Sequence, residues 1–386
     1  MSSLDKPLLD LYADYLISSF GPTTATGLSR LLGAGLSHDK ITRFLAGEAM
    51  TSQNLWQIVK PLVRQVQTEE AVLVVDDSIV HKPYTDENDL ICWHYDHATE
   101  QTVKGINFIT ALYCSVPKTD EPKTDEPKTD EPKTDDYAQA EEVSLPVAFA
   151  LVQKTETYED KKTGKTKRRD PISKNEHYQT MLKACVHNQL RFRYVLNDVW
   201  FASSENMTLI KTTLKKDFVM PVKTNRKVAL SAQDKKQGRY QAVETLEIEA
   251  GTAHKVWLEQ VEFPLLLVKQ VFTNKDKSQG FLYLITSDLT LDGDQIARLY
   301  QRRWQVEQYH KSLKQNASLS CSPTRTVRTQ TNHLFCSLCA FVKLEALKMK
   351  AKCHHFALKN RLYQAALQAA FCQLQKLGSE KLLAPA

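Results

Sequence analysis

The stretch Ala71-Val-Leu-Val-Val-Asp-Asp-Ser78 decides the fold. Five apolar residues in a row, without the alternation of a half-exposed strand, read as a strand buried on both faces. Such strands belong to sheets covered by helices, so the run argues for an α/β core. The strand expected over 71–75 ends in two carboxylates. The pattern recurs at Phe192–Leu196, which ends in Asn197-Asp198. An acid just past a buried strand lies at the edge of a sheet, where ligands and metals bind. One such acid is commonly a turn or cap residue. Two, from strands that can be neighbours, suggest a shared site.

Outward from these strands, Thr102–Cys114 and Val143–Val152 read as two more, and Asp217–Lys223 as a fifth after Phe192–Leu196. Helices are expected near 175–190 and 203–215. Residues 224–279 alternate like antiparallel strands at Tyr240–Glu249, His254–Glu262 and Leu265–Thr273, with another strand at Phe281–Thr286. A helix is expected from Asp292 to Gln315, and residues 327–376 and 1–68 read as helical. Within the latter, TATGLSRLL, GAGLS and HDKITRFLAG outline a helix-turn-helix or a plain helical hairpin, with His38, Lys40, Thr42 and Arg43 exposed.

The chain has 386 residues, 42% hydrophobic and 25% charged, which excludes wholesale disorder. No stretch approaches the ~18 uncharged apolar residues of a membrane helix. Acids near the N-terminus argue against a signal peptide, so a cytoplasmic location is expected. Cys336, Cys339, Cys353, His354 and His355 have a zinc-like spacing. The C-x-x-C pair lies in an apolar helical run without Gly or Pro, which favours buried thiols.

The net charge is +6, unevenly spread. Residues 1–70 hold 6 basic and 7 acidic residues; residues 300–386 hold 14 and 3. The segment 161–169 adds Lys161, Lys162, Lys165, Lys167, Arg168 and Arg169 with no opposing acid. A polyanion is the natural partner, and an acidic membrane surface a weaker one. Residues 117–136 repeat PKTDE with a five-residue period, ending in PKTDD. Proline at every fifth position forbids helix and ladder, so a solvated acidic loop is expected.

The sharpest element is Tyr300-Gln-Arg-Arg303-Trp-Gln-Val-Glu307-Gln-Tyr-His-Lys311-Ser-Leu-Lys314. At 100° per residue, Tyr300, Arg303, Glu307, Lys311 and Lys314 share one stripe of a helix, with Trp304 and Val306 as an apolar flank. One acid among several cations is not the balanced pairing of an ordinary helix surface. Three carboxylates without an adequate His/Cys set suit a hard cation, Mg²⁺ or Mn²⁺. Two such ions can serve a phosphodiester displacement, with neighbouring cations gripping phosphates.

Tyr300-x2-Arg303-x3-Glu307-x6-Lys314 resembles the Y-R-E-K signature of DDE transposases of the insertion-sequence 4 type. The stretches DDSIVHKPYTDENDLICWHYDH (76–97), NDVWFASSEN (197–206) and YQRRWQVEQYHKSLKQNASL (300–319) look closer still to the insertion-sequence 701 group. The resemblance covers about 70–380 and implies an α/β fold. That fold is a ribonuclease H-like mixed sheet core with a β-rich insertion, flanked by N- and C-terminal helical regions.

The implied boundaries are an N-terminal helical DNA-binding region at 1–68 and the first part of the core at 69–223. The insertion follows at 224–279, the last strand and catalytic helix at 280–316, and a basic helical region at 317–386. The resemblance places the metal-binding acids at Asp77, Asp198 and Glu307, with Asp76 as rival for the first position. Ser78, the small hydroxyl residue after it, favours Asp77. Tyr300, Arg303, Lys311 and Lys314 would meet phosphates at the cleaved end, and the six cations of 161–169 and Arg226 the backbone.

The implied activity is cleavage of an element's ends and joining of the 3′-hydroxyls to target DNA, with Mg²⁺ or Mn²⁺, two ions in all. The implied partners are double-stranded DNA (terminal inverted repeats and target) and a second copy of the chain, with no membrane. The alternatives are a ribonuclease H-fold nuclease without strand transfer and a catalytically inactive DNA-binding remnant.

Overall fold

The acids at 76 and 77 lie inside a strand, because the partner strand is long enough to pair past them. In the computed structural model β1 (Val72–His81) pairs with β3 along its whole length, from Val72 with Cys114 to His81 with Gly105. The model describes residues 4–33, 35–96, 99–116, 142–161, 163–273 and 278–381. All of the PKTDE repeat, and Lys162, lie outside them.

The chain forms two compact units. One comprises Thr51–Val116 and Ser144–His310; the other holds residues up to Met50 and from Lys311 onward. In the first, β1 is followed by β2 (Cys92–Asp96), β3 (Gln101–Cys114) and β4 (Ser144–Leu151). A small hairpin follows, β5 (Glu156–Glu159) and β6 (Thr166–Arg169). Next come β7 (Tyr194–Asn197) and β8 (Asp217–Val222). β4, β3 and β1 are antiparallel neighbours, whereas β7 runs parallel to β1, and β8 parallel to β7.

Parallel neighbours need a crossover. A helix at Lys174–His187 precedes β7, and a short helix at Ser204–Thr208, continued by a π turn at Leu209–Thr213, leads to β8. The order β4-β3-β1-β7-β8 is the ribonuclease H-like arrangement, a mixed α/β sheet. Val72–Val75 are fully buried, as a central strand requires.

Beyond β8 the sheet grows by antiparallel strands: β9 (Lys227–Ala229), β10 (Gln241–Ala242), β11 (Ala253–Leu258), β12 (Leu265–Thr273) and β13 (Gln279–Thr286), with β13 next to β8. The strand expected over Tyr240–Glu249 shrinks to β10 and a 3₁₀ turn at Val243–Thr245. The amides of Val243 and Glu244 bond to the carbonyls of Arg226 and Thr224 instead. β2, β9 and the β5–β6 hairpin were not foreseen.

In the second unit the helix Val327–Ala351 is the buried centre, with residues 329–342 all buried. Asn332 ties it to the preceding helices: its Oδ1 accepts from the Met50 amide at 2.9 Å and its Nδ2 donates to Leu45 O at 2.9 Å. The hairpin Ala25–Leu31 and His38–Ala46 leaves His38, Lys40, Thr42 and Arg43 exposed. Lys352, at φ 46°, breaks the expected helix of 327–376, and His355–Lys381 resumes it. Cys336 and Cys339 are buried, and burial pushes both thiols up. Among the described residues no helix is long and apolar enough to cross a membrane.

Candidate active site

Sheet register brings the first two acids together. Val75 is paired with Asn197 across the parallel ladder, so the next residues, Asp76 and Asp198, are level. Asp198 caps the 3₁₀ turn Val199–Phe201, its Oδ1 accepting from the Trp200 amide at 3.0 Å. Side chains alternate along a strand, so Asp76 and Ser78 share a face with their partners Thr110 and Phe108. The helix Gln305–Asn316, which carries Glu307, covers that face: the His310 ring meets Phe108 edge-on at 5.8 Å.

Asp77 points to the other face. There it accepts from Asn107 Nδ2 at 2.8 Å and Lys174 Nζ at 2.7 Å. The register thus sets Asp76, the rival position, beside Asp198 on the Glu307 side. The resemblance, through Ser78 directly after it, favours Asp77 for the first position.

Arg303 links this face to the helix. Its Nη1 lies 3.9 Å from Asp76 Oδ2, and its Nη2 donates to Glu307 Oε1 at 2.8 Å. Its guanidinium carbon sits 5.7 Å from the Tyr300 ring centroid. The helix expected over 292–315 is interrupted here: Gly293–Gln301 passes into a 3₁₀ turn, Arg302–Trp304, before Gln305–Asn316. The turn leaves the Arg303–Glu307 pair intact but turns Trp304 outward, 62% exposed, while Val306 is buried. Only Val306 therefore serves as the expected apolar flank. Arg302, unsingled in the sequence, donates to the carbonyls of Cys114 and Ser115 and so ties the turn to the end of β3.

The acids disturb one another. Burial, then the charges of Asp198 and Asp77, push Asp76 up to about 7, although Arg303 and the Asp77 amide oppose this. Asp198 is also raised, by burial first and with the Asp77 charge adding to it. Burial lifts Tyr300 to about 12. Arg303 loses by burial but is held up by Tyr300, Asp76 and Glu307. Its Nε is buried without a hydrogen-bond partner among the described residues.

A hard dication fits this donor set in chemistry, because it would relieve the crowding of the half-buried Asp76, Asp77 and Asp198. In geometry, no three His, Cys, Asp or Glu groups among the described residues converge on one metal-sized point. Arg303 stands between Asp76 and Glu307.

The expected phosphate contacts divide. Lys311 and Lys314 are exposed further along the Glu307 helix. On the hairpin, Lys167 pairs with Asp160, Arg168 with Asp89 and Glu87, and Arg169 with Glu156. Lys161 and Lys165 are exposed and form no ion pair among the described residues. Arg226 is half-buried and donates to Ser204 Oγ at 2.8 Å. The sequence reading missed Lys174 and Asn107, which only the fold brings to Asp77. Trp200 stood in plain view, two residues past Asp198.

No curated protein matches the chain. The solved structure "Drosophila P element transposase strand transfer complex" is similar over 54% of this chain and 37% of that one, at 10% identity and a TM-score of 0.27. The chain thus spans little more than a third of that protein's length, and the likeness is too slight to bear on function. A family model described as "Transposase DDE domain" matches residues 161–342. A second, "DDE superfamily endonuclease", matches residues 5–244, more than half of the chain. The chain therefore belongs to the DDE superfamily endonucleases.

Proposed function

We propose that this protein is a DNA transposase that cuts the ends of its own element and joins the freed 3′-hydroxyls to target DNA. The observation that carries this reading is that the β1–β7 register sets Asp76 level with Asp198 on the face covered by the Glu307 helix, where Arg303 links Asp76 to Glu307. On this reading Asp76, Asp198 and Glu307 hold divalent metal, Mg²⁺ or Mn²⁺, with two ions as the expected count. Asp77 is the second candidate for the first position.

When bound, such ions activate the attacking oxygen and stabilise the leaving one. The chain's own groups do the rest. The buried Nε of Arg303 is a donor awaiting an acceptor, and a phosphate oxygen supplies one. As a phosphate enters, Arg303 can exchange its carboxylate partners for it and free Glu307. Tyr300 fixes the guanidinium from its ring face, and Lys311 and Lys314 extend the positive track along the helix. Lys161, Lys165 and Arg226 hold backbone without reading bases.

Placement within the insertion-sequence 4 superfamily, near the 701 group, belongs to this proposal. So do terminal inverted repeats and target duplex as partners, a dimer bridging two ends, recognition by the outer helices, and a cytoplasmic setting.

The test uses DNA flanking the chain's own gene, incubated with the protein and Mg²⁺. Cuts at inverted repeats, followed by joining of pre-cut ends to a plasmid, are expected. Cutting without joining would leave a nuclease of the same fold; binding without cutting would leave an inactive remnant.

A further inference from the structure

We infer that the outer part of the last helix, residues 360–377 of His355–Lys381, pairs in parallel with the same stretch of a second copy of the chain. The inference rests for its role on the dimer of the proposed function, and gives that dimer a surface and a register.

The helix starts attached and ends bare. Lys359 donates to the carbonyls of Ile17 and Ser19, and the Tyr363 ring meets Phe20 edge-on at 5.3 Å. From Asn360 to Leu377 every residue is exposed, over about 27 Å of helix. A helix of that length standing free in water is marginal, and helices in proteins owe most of their stability to a packed apolar face. Such a face is present. Leu367, Phe371, Leu374 and Leu377 are each at least half exposed. With Tyr363 and Ala370 they fall within about 120° of the helix circumference, and Arg361, Gln364, Gln368 and Gln375 lie outside it.

The spacing selects the occupant. Asn360, Tyr363, Leu367, Ala370, Leu374 and Leu377 follow alternating steps of three and four, the seam of a coiled coil. Asn360, Leu367 and Leu374 take its a positions, and the other three its d positions. Such a seam fits a second helix of the same spacing, which the chain's own copy supplies. A lone Asn at an a position costs stability but fixes register, because its amide meets its counterpart across the pair. Tyr363, Leu367, Phe371, Leu374 and Leu377 each leave roughly 100 Å² bare, so two copies withdraw about 1,000 Å² from water, the lower bound for a specific interface. Residues 360–377 hold two cations, Arg361 and Lys376, and no acid. Both lie off the seam, so identical copies meet without like-charge repulsion. Two cations are few for a DNA backbone, and a helix lying on a membrane carries a polar face rich in Lys and Arg, where this one carries glutamine.

The experiment is sedimentation of the full chain in EDTA, without DNA, across micromolar concentrations. The wild type is expected to dimerise in that range. L367D/L374D should weaken self-association at least about 100-fold, because it sets like charges against each other across the seam. N360L should tighten it roughly tenfold, a gain that a misfolded chain would not show. Under a thiol oxidant L377C should form a disulfide with its own copy, since d positions of parallel helices meet. The exposed Cys372, at the outward f position, should leave the wild type uncrosslinked. A wild type that stays monomeric, or an L367D/L374D variant that associates as well as the wild type, would overturn the inference. So would a dimer in which L377C does not crosslink. Anionic-vesicle binding lost in L367D/L374D, with no dimer in the wild type, would overturn it in favour of a membrane. A chain that dimerises through this helix but cuts nothing would keep this inference and lose the proposed function. Cutting and joining by a protein whose association ignores L367D/L374D would do the reverse.

Discussion

The β5–β6 hairpin and the helix around Glu307 are the two conspicuously basic stretches of the chain, and they use their cations in opposite ways. On the hairpin, Lys167, Arg168 and Arg169 are each taken by a carboxylate of the same unit. A sequence count sees six positive charges there; the fold leaves fewer for a polyanion. At the acid centre one cation, Arg303, is shared by Asp76 and Glu307 and faces more negative charge than it can neutralise. The hairpin is electrostatically settled, whereas the acid centre is not. Charge left uncompensated by the fold marks where a ligand is expected.

Separating Asp76 from Asp77 is the hardest blow to this contrast. Asp76→Asn should reduce metal-dependent cleavage by roughly 10²–10³-fold, while DNA binding in EDTA stays within a few-fold. Asp77→Asn should cost clearly less, because its carboxylate serves Lys174 and Asn107 on the far face. The reverse ranking in a single-turnover cleavage assay would return the first position to Asp77.

Arg303→Lys is next. An ammonium cannot span both carboxylates as a guanidinium fork does, so cleavage should fall roughly 10- to 100-fold. A loss below twofold would mean that Arg303 does not organise the centre.

The acids also set a pH dependence. A folded Asp76 near 7, against 3.8 unfolded, keeps a proton that the unfolded chain has lost between those values. Metal-free protein should therefore lose stability as pH rises from about 4 to 7 and level off above. In Asp76→Asn that slope should flatten and the melting temperature at pH 7.5 rise by roughly 5 °C, read by calorimetry in EDTA. A wild-type stability that climbs across this window would contradict the crowding of acids.

The smallest effects belong to the hairpin. Arg168→Gln should leave the salt dependence of duplex binding unchanged and cost at most about 1 kcal/mol of stability, measured by urea unfolding. Lys161→Gln with Lys165→Gln should lower the salt slope by roughly 1–2 and leave stability alone. Equal salt effects from all three positions would erase the distinction between paired and free cations.

Much of the core was legible because burial on both faces writes an unbroken apolar run, as at 71–75. Asp198 could be placed because it comes two residues after the largely apolar strand that ends at Leu196. The 3₁₀ turn at Arg302–Trp304, on which Trp304 is exposed, could not, because its residues fit an α-helix as well. The choice between Asp76 and Asp77 hangs on alternation within a strand whose far end only the pairing with β3 defines. The pair of Arg168 with Asp89 joins residues 79 positions apart, so it left no mark in the hairpin's own sequence, whereas Lys167 and Arg169 pair with Asp160 and Glu156 nearby.

The most direct test of the acid centre is a calorimetric titration of the protein with Mn²⁺ at pH 7.5, beside Asp76→Asn, Asp198→Asn and Glu307→Gln. The wild type should bind the ion, with binding weakened at least tenfold in each variant. Equal binding by all four proteins, or none by the wild type even with DNA present, would contradict a metal centre built from these three acids.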